Sequence, residues 1–237
     1  MVIDLKNAEV FFVDGNIMTG AVDFMTGYME GATSIVVNGI TGIIPVGSFI
    51  TIDGVPLYEV TSTVETMGNT TTINFTPGLR GAVADDDVVT VDGQFLRIKV
   101  GDGTIAWTEK KPREFIMDRG TIDTVRNADE EPMDVNFSLQ YNEITASTGD
   151  PPSPEDVLKR VGEAAAWVTS NTEDPCAPYC VDIWVVHTPP NCEAVEIEKV
   201  TLPRFYYEEL AHDVKAGTIQ CTGRCLATDA VAVRIAQ

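Results

Sequence analysis

Residues 133–141 alternate without a break. Met133, Val135, Phe137, Leu139 and Tyr141 are apolar, and Asp134, Asn136, Ser138 and Gln140 between them are polar. A strand sends successive side chains to opposite faces, so this run predicts one half-buried β-strand. Other apolar or alternating runs predict strands at 10–13, 95–100, 104–108, 181–187, 195–207, 218–226 and 231–235, separated by Gly, Pro and Asn punctuation. Only residues 153–168 carry a helical period. Ser153 is a suitable N-cap, Pro154 suits the first turn, and Asp156 can complete a capping box. Val157, Val161, Ala164, Ala165 and Val168 then share one face, with Glu155, Lys159 and Glu163 as an exposed ladder.

Between the first strand and the run at 95–100 lies a stretch of different composition, residues 21–93. It holds Asp23, Glu30, Asp53, Glu59, Glu65, Asp85, Asp86, Asp87 and Asp92 against a single basic residue, Arg80. Five short strands are predicted there, at 34–37, 49–53, 57–62, 70–75 and 88–91, with turns at Asp53-Gly54 and Pro77-Gly78. Strands this short and evenly spaced predict a small barrel or sandwich inserted into a parent domain of residues 1–20 and 94–237. Asp85, Asp86 and Asp87 could bind calcium, but an acidic surface turn is the commoner arrangement.

Residues 110–132 show neither period and predict a long ordered loop. Phe115, Ile116, Met117, Ile122 and Val125 within it need burial, which argues against disorder. Its charges first alternate in sign (Asp118, Arg119, Asp123, Arg126) and then turn acidic at Asp129, Glu130 and Glu131. Long ordered loops are usually functional, and this composition suits a clamp onto another protein.

The net charge of −20 opposes a grip on nucleic acid, which needs clustered Lys and Arg, and opposes anionic membranes equally. No apolar run reaches a membrane span, and the N-terminus lacks a secretory pattern, so folding in a cytoplasm is expected. Cys176, Cys180, Cys192, Cys221 and Cys225 are odd in number and predict free, mostly buried thiols. With His187 and His212 they could be considered for zinc, but the C-x-x-x-C spacing is not that of a knuckle. A glycine-rich phosphate loop, a G-x-S-x-G elbow and a metal-binding helix are all missing from the sequence, so neither an enzyme nor a cofactor is expected.

Three runs carry a resemblance: residues 103–110 (GTIAWTEK), 118–126 (DRGTIDTVR) and 132–135 (PMDV). Together they resemble the tail tube proteins of long-tailed bacteriophages, best over 95–141 and more loosely to the C-terminus. Residues 21–93 fall outside the resemblance, and Ala128 stands where glycine is expected. The resemblance implies a mainly β fold, a β-sandwich crossed by one packed helix. It also implies self-assembly into hexameric rings whose sheets join edge to edge around a lumen. On this reading Asp118, Arg119, Asp123, Arg126, Asp129, Glu130 and Glu131 are inter-subunit candidates. Asp134, Asn136, Ser138 and Gln140 are lumen-facing candidates on an acidic wall, and Arg97 and Lys99 are expected to be paired or turned away from it. The inserted domain would lie on the tube exterior. Partners would be further copies, other tail proteins and passing DNA that is not bound, with no membrane, in a virion tail assembled in the host cytoplasm. Two alternatives are another ring-forming virion component, in tail completion or the baseplate, and a monomeric β-rich binding or adhesin module.

Overall fold

A computed structural model of the chain describes residues 8–42, 44–66, 70–98, 104–119, 121–140, 146–147, 150–174, 176–187 and 197–235. Tyr141, Lys99, Val100, Cys192 and the expected breaks at 101–103 and 188–191 lie outside them. The chain is mainly β. In order it forms β1 (Ala8–Val13), β2 (Met18–Val22), β3 (Ser34–Asn38), β4 (Phe49–Ile52), β5 (Val55–Thr66), β6 (Thr70–Thr76), β7 (Val88–Asp92), β8 (Phe95–Ile98) and β9 (Ile105–Thr108). There follow β10 (Arg113–Asp118), β11 (Thr121–Asn127), β12 (Met133–Gln140), α1 (Pro154–Lys159), β13 (Val181–His187), β14 (Ile197–Asp213), β15 (Thr218–Cys225) and β16 (Val231–Ile235).

The largest sheet runs β8-β1-β13-β14-β15-β12-β9, with β16 also paired to β14. It folds over on itself at β14. The first part of that strand pairs with β13 and β16, and residues 206–213 pair with β15 alone. The corner lies at Arg204, whose φ of +51° is rare for a side-chain-bearing residue, next to a register shift against β13. Phe12 of β1 and Phe137 of β12 are far apart in strand order, yet their ring centroids lie 5.7 Å apart. Phe137 in turn meets Phe205 at 5.5 Å. These rings and Met133, Val135, Leu139, Ile183, Val185 and Leu202 form one core between the two layers. At Gly223 a Cβ would meet the Tyr206 carbonyl oxygen at 2.2 Å and the Phe205 ring at 2.7 Å, so only glycine admits that ring.

Strands β2 to β7 close into a six-stranded barrel in the order β2-β3-β6-β5-β4-β7. Ile35, Ile50, Ile73, Val89 and Val91 fill it. Five of its strands were legible from their apolar runs, and the sixth, β2, was not. Its sequence Met-Thr-Gly-Ala-Val is a poor strand former, but a Cβ at Gly20 would meet the Asn38 carbonyl at 2.5 Å, so the glycine permits the close approach that closes the barrel.

Barrel and sandwich share a third apolar cluster. Strands β1 and β13 are buried on both faces, as their continuous apolar runs require. Val10, Phe12, Ile183 and Val185 point into the sandwich core, and Phe11, Val13, Trp184 and Val186 point out onto Leu57 of the barrel. Phe49 stacks on Phe95 at 4.9 Å and meets Phe11 edge-on at 5.4 Å. Lys199 lies on the Trp184 ring, 3.1 Å from its centroid. Excising residues 21–93 would therefore bare four large apolar side chains on the sheet.

Where the chain leaves for the barrel and returns, a buried carboxylate holds three strands of backbone together. Asp14 Oδ1 accepts from the N–H of Gln94 at 2.7 Å and of Asn16 at 3.1 Å, and Oδ2 accepts from that of Val168 at 3.1 Å. Burial pushes its pKa above the ordinary carboxylate value in spite of the three donors.

The helix is shorter than its sequence pattern suggests. Ser153 and Asp156 form the expected capping box, but Arg160 adopts a left-handed conformation and ends α1 after six residues. A 3-10 turn, Gly162–Ala164, follows. The anchor is Trp167, which with Val157, Leu158 and Ala164 enters the sandwich core. Val161 and Val168, expected inside, are substantially exposed, and Glu155, expected outside, is buried and pairs with Lys159. The break at Gly162, with φ +54°, lets the indole reach a depth that a continuous helix would deny it.

Asp14→Ala leaves three part-buried N–H groups without their acceptor and is expected to cost about 2 kcal/mol in a denaturant titration. A second expectation concerns Lys199, whose pKa burial depresses to about 8. The unfolded chain, with an ordinary value of 10.5, then binds the extra proton between those limits, so stability should rise with pH across that window. The rise is worth about 3 kcal/mol and should vanish in Lys199→Met, as the difference between the two melting curves.

Candidate assembly surfaces

The expected loop at 110–132 is not a loop. Strands β10 and β11 form a two-stranded antiparallel hairpin that pairs with no other described strand. Its register explains why the sequence hid it. Phe115 faces Val125 and Met117 faces Ile122, with a shift between the two pairs at which Asp123 is passed over. That bulge puts Ile122 and Val125 on one face despite a spacing of three residues, which breaks the period of two. Phe115, Met117, Ile122 and Val125 thus share a face, and they are 57%, 56%, 64% and 48% exposed. On the other face Arg126 pairs with Glu114 across the strands at 2.7 Å.

The root of this arm is pinned. Lys110 bridges Asp134 at 2.7 Å and Glu131 at 3.6 Å, and Lys111 meets Asp229 at 2.8 Å. The Ala128 N–H donates to the Pro112 carbonyl at 3.1 Å and closes the ribbon. Ala128 stays out of the left-handed region, so alanine serves there without strain.

The inter-subunit candidates consequently differ in placement. Asp118 ends β10, Arg119 is at the tip with φ +48°, and Asp123 is the bulged residue of β11. Arg126 and Glu131 have partners within their own chain, and Asp129 and Glu130 are exposed on the return to β12. The apolar side chains that make the arm's face are visible in the sequence as residues needing burial.

The lumen candidates lie together. Asp134, Asn136, Ser138 and Gln140 occupy one face of β12, with Arg224, Thr222, Gln220 and Thr218 opposite them on β15 and Thr108 and Ala106 on β9. On β14 the same face carries Glu209, Ala211 and Asp213, and Glu208 lies 3.5 Å from Arg224, so the face is polar with more carboxylates than cations. Its carboxylate at Asp134 lies between Lys110 and Arg224, the latter 3.3 Å away, and the hydrogen bond from Lys110 holds its pKa below the usual value. The competing cation Arg97 pairs with Glu9 on the other layer.

The layer β14-β15-β12-β9 is open on both sides. Among the described strands β9 bonds only β12, and residues 206–213 of β14 bond only β15. Open strand edges are templates for pairing.

The residues considered for metals and catalysis are engaged elsewhere. Cys180, Cys221 and Cys225 are buried free thiols, and burial pushes Cys221 and Cys225 up to about 12. Asp85 and Asp87 accept from the backbone N–H groups of Phe24 and Ala84. Among the described residues no group of three or more His, Cys, Asp or Glu is placed to hold a metal ion. No described helix is long and apolar enough to cross a membrane.

The arm buries little in the isolated chain. Replacing two of its apolar residues together, Phe115→Ser with Ile122→Ser, should change the unfolding free energy of the monomer by less than about 1 kcal/mol. A larger loss would mean that the arm packs on its own chain.

Comparison with known protein families, with curated protein sequences and with solved structures returned no match.

Proposed function

We propose that this chain is a structural subunit that assembles into stacked rings forming the tail tube of a bacteriophage, a conduit through which DNA passes without being bound. The observation that carries this reading is the arm: a two-stranded ribbon presenting Phe115, Met117, Ile122 and Val125 to solvent. Isolated hairpins are marginal in water, and an exposed apolar face on one is supported only if a second molecule covers it. The open edges of the inner layer add to the argument. Pairing β9 of one copy with residues 206–213 of β14 in the next is a head-to-tail contact, which closes into a ring and removes both edges at once. The resemblance makes that ring a hexamer.

In such a ring the face carrying Asn136, Ser138, Gln140, Thr222 and Gln220 lines the lumen. Hydroxyls and amides displace no counterions from DNA, the cations Lys110 and Arg224 are paired with Asp134 and Glu208, and Glu209 and Asp213 add carboxylates to the same face. The net charge of −20 spread over the rest of the molecule repels DNA at longer range. The subunit performs no catalysis in this role and needs no cofactor.

Two measurements test the proposal. In sedimentation velocity the wild-type protein should pass from monomer to rings and tubes as concentration rises, and Phe115→Ser with Ile122→Ser should remain monomeric over the same range. For the lumen, Asn136→Lys with Gln140→Lys should make tubes retain duplex DNA at low salt and release it as salt rises, each phosphate contact adding about 0.9 to the slope of log K against log salt. Wild-type tubes that retain duplex DNA at physiological salt would contradict the conduit.

A further inference from the structure

Barrel and sandwich do not meet along their whole length. Beside the aromatic seat a groove of about 880 Å³ opens between them. Val46 lines it on the barrel side, and Phe95, Leu96, Pro151, Pro152 and Trp167 line it on the sandwich side. A space of that size lies within the roughly 300–1,000 Å³ of sites that enclose a compact ligand, far more than one side chain fills. Strand β8 runs along it and, among the described strands, bonds only β1, so its outer edge is open. Val46 is 67% exposed, on the turn before β4 that Gly47 shapes with φ +86°. The groove therefore offers an apolar wall and an open strand edge together, which is the geometry that accepts an extended segment.

We propose that this groove receives the β10–β11 arm of a second copy of the chain. The inference rests on the self-assembly proposed above and names the receiving site. Three observations select this occupant. The arm's face of Phe115, Met117, Ile122 and Val125 is apolar and uncovered, as is the groove. The arm is itself a strand pair, suited to lie along an open edge. The charges also match: the arm ends in Arg119, the groove is rimmed by Glu59 on β5, whose side chain is exposed, and the groove's own cation, Arg97, is already paired with Glu9. Arm and groove are different surfaces of one chain, so the contact is head-to-tail and propagates from copy to copy. The barrel then becomes part of the assembly contact, because Val46 and Glu59 both belong to it.

The test uses the full chain carrying Cys176→Ser, which removes the exposed thiol among the described residues, and Cys192→Ser. Met117→Cys on the arm and Val46→Cys in the groove are combined, and a short bis-maleimide is added under assembling conditions. A ladder of dimers, trimers and longer species is expected, and a control pairing Met117→Cys with Met29→Cys, on another part of the barrel surface, should give none. In parallel, Glu59→Arg should raise the concentration needed for assembly at least tenfold, and Arg119→Glu in the same chain should restore it. Tubes that form without a 46–117 ladder, or a cross-link confined within single chains, would overturn the groove as the receiver while leaving the tube reading in place. A wild-type protein that stays monomeric at every concentration would overturn both.

Discussion

One strand serves two layers, and most of the architecture depends on it. Strand β14 is 17 residues long, and no single flat sheet could use its whole length. Its left-handed corner at Arg204 sends the first part to β13 and β16 and the second part to β15. Phe205, directly after the corner, is paired on both sides and carries its ring into the core. The consequence is a division of labour. In the outer layer β1 and β13 are covered on both faces, by the core and by the barrel. The inner layer keeps one polar face and two open edges.

The barrel is attached to this frame by chemistry that fixes its position rather than by a linker. Asp14 ties the outgoing and returning chains to the segment that follows the helix, three backbone donors on one carboxylate. The rings of Phe11, Phe49 and Phe95 and the indole under Lys199 provide the contact. Buried charges such as Asp14 contribute little net stability, but they oppose alternative arrangements in which they would be unsatisfied. A firmly seated barrel forms a groove of constant shape, whereas a tethered bead would not.

Much of the fold was legible because its signals are local. The alternation of residues 133–140 is that of a strand with one wet face, and the unbroken run Val10–Val13 is that of a strand covered twice. The N-cap at Ser153 was equally plain. What the sequence concealed was set by contacts distant along the chain. The bulge at Asp123 erased the period of β11, so a hairpin read as a loop. The depth that Trp167 reaches cut the helix short, although small residues kept the helical spacing beyond it. Gly20 disguised β2 because its value lies in what it leaves out. At the candidate surfaces the sequence displays the charged residues but not the partners they have within the chain. Arg126, Glu131 and Asp134 have partners within the subunit, and one face of the arm is apolar and uncovered.

We read the apolar arm, the two open strand edges and the polar, carboxylate-bearing face as parts of one proposed assembly with a specific arrangement. Electron cryo-microscopy of the protein concentrated at physiological salt tests it most directly. The account predicts tubes whose lumen is lined by Asn136, Ser138 and Gln140, with residues 206–213 of β14 joined to β9 of the neighbouring subunit. Tubes that turn this face outward, or a field of monomers at every concentration, would contradict it.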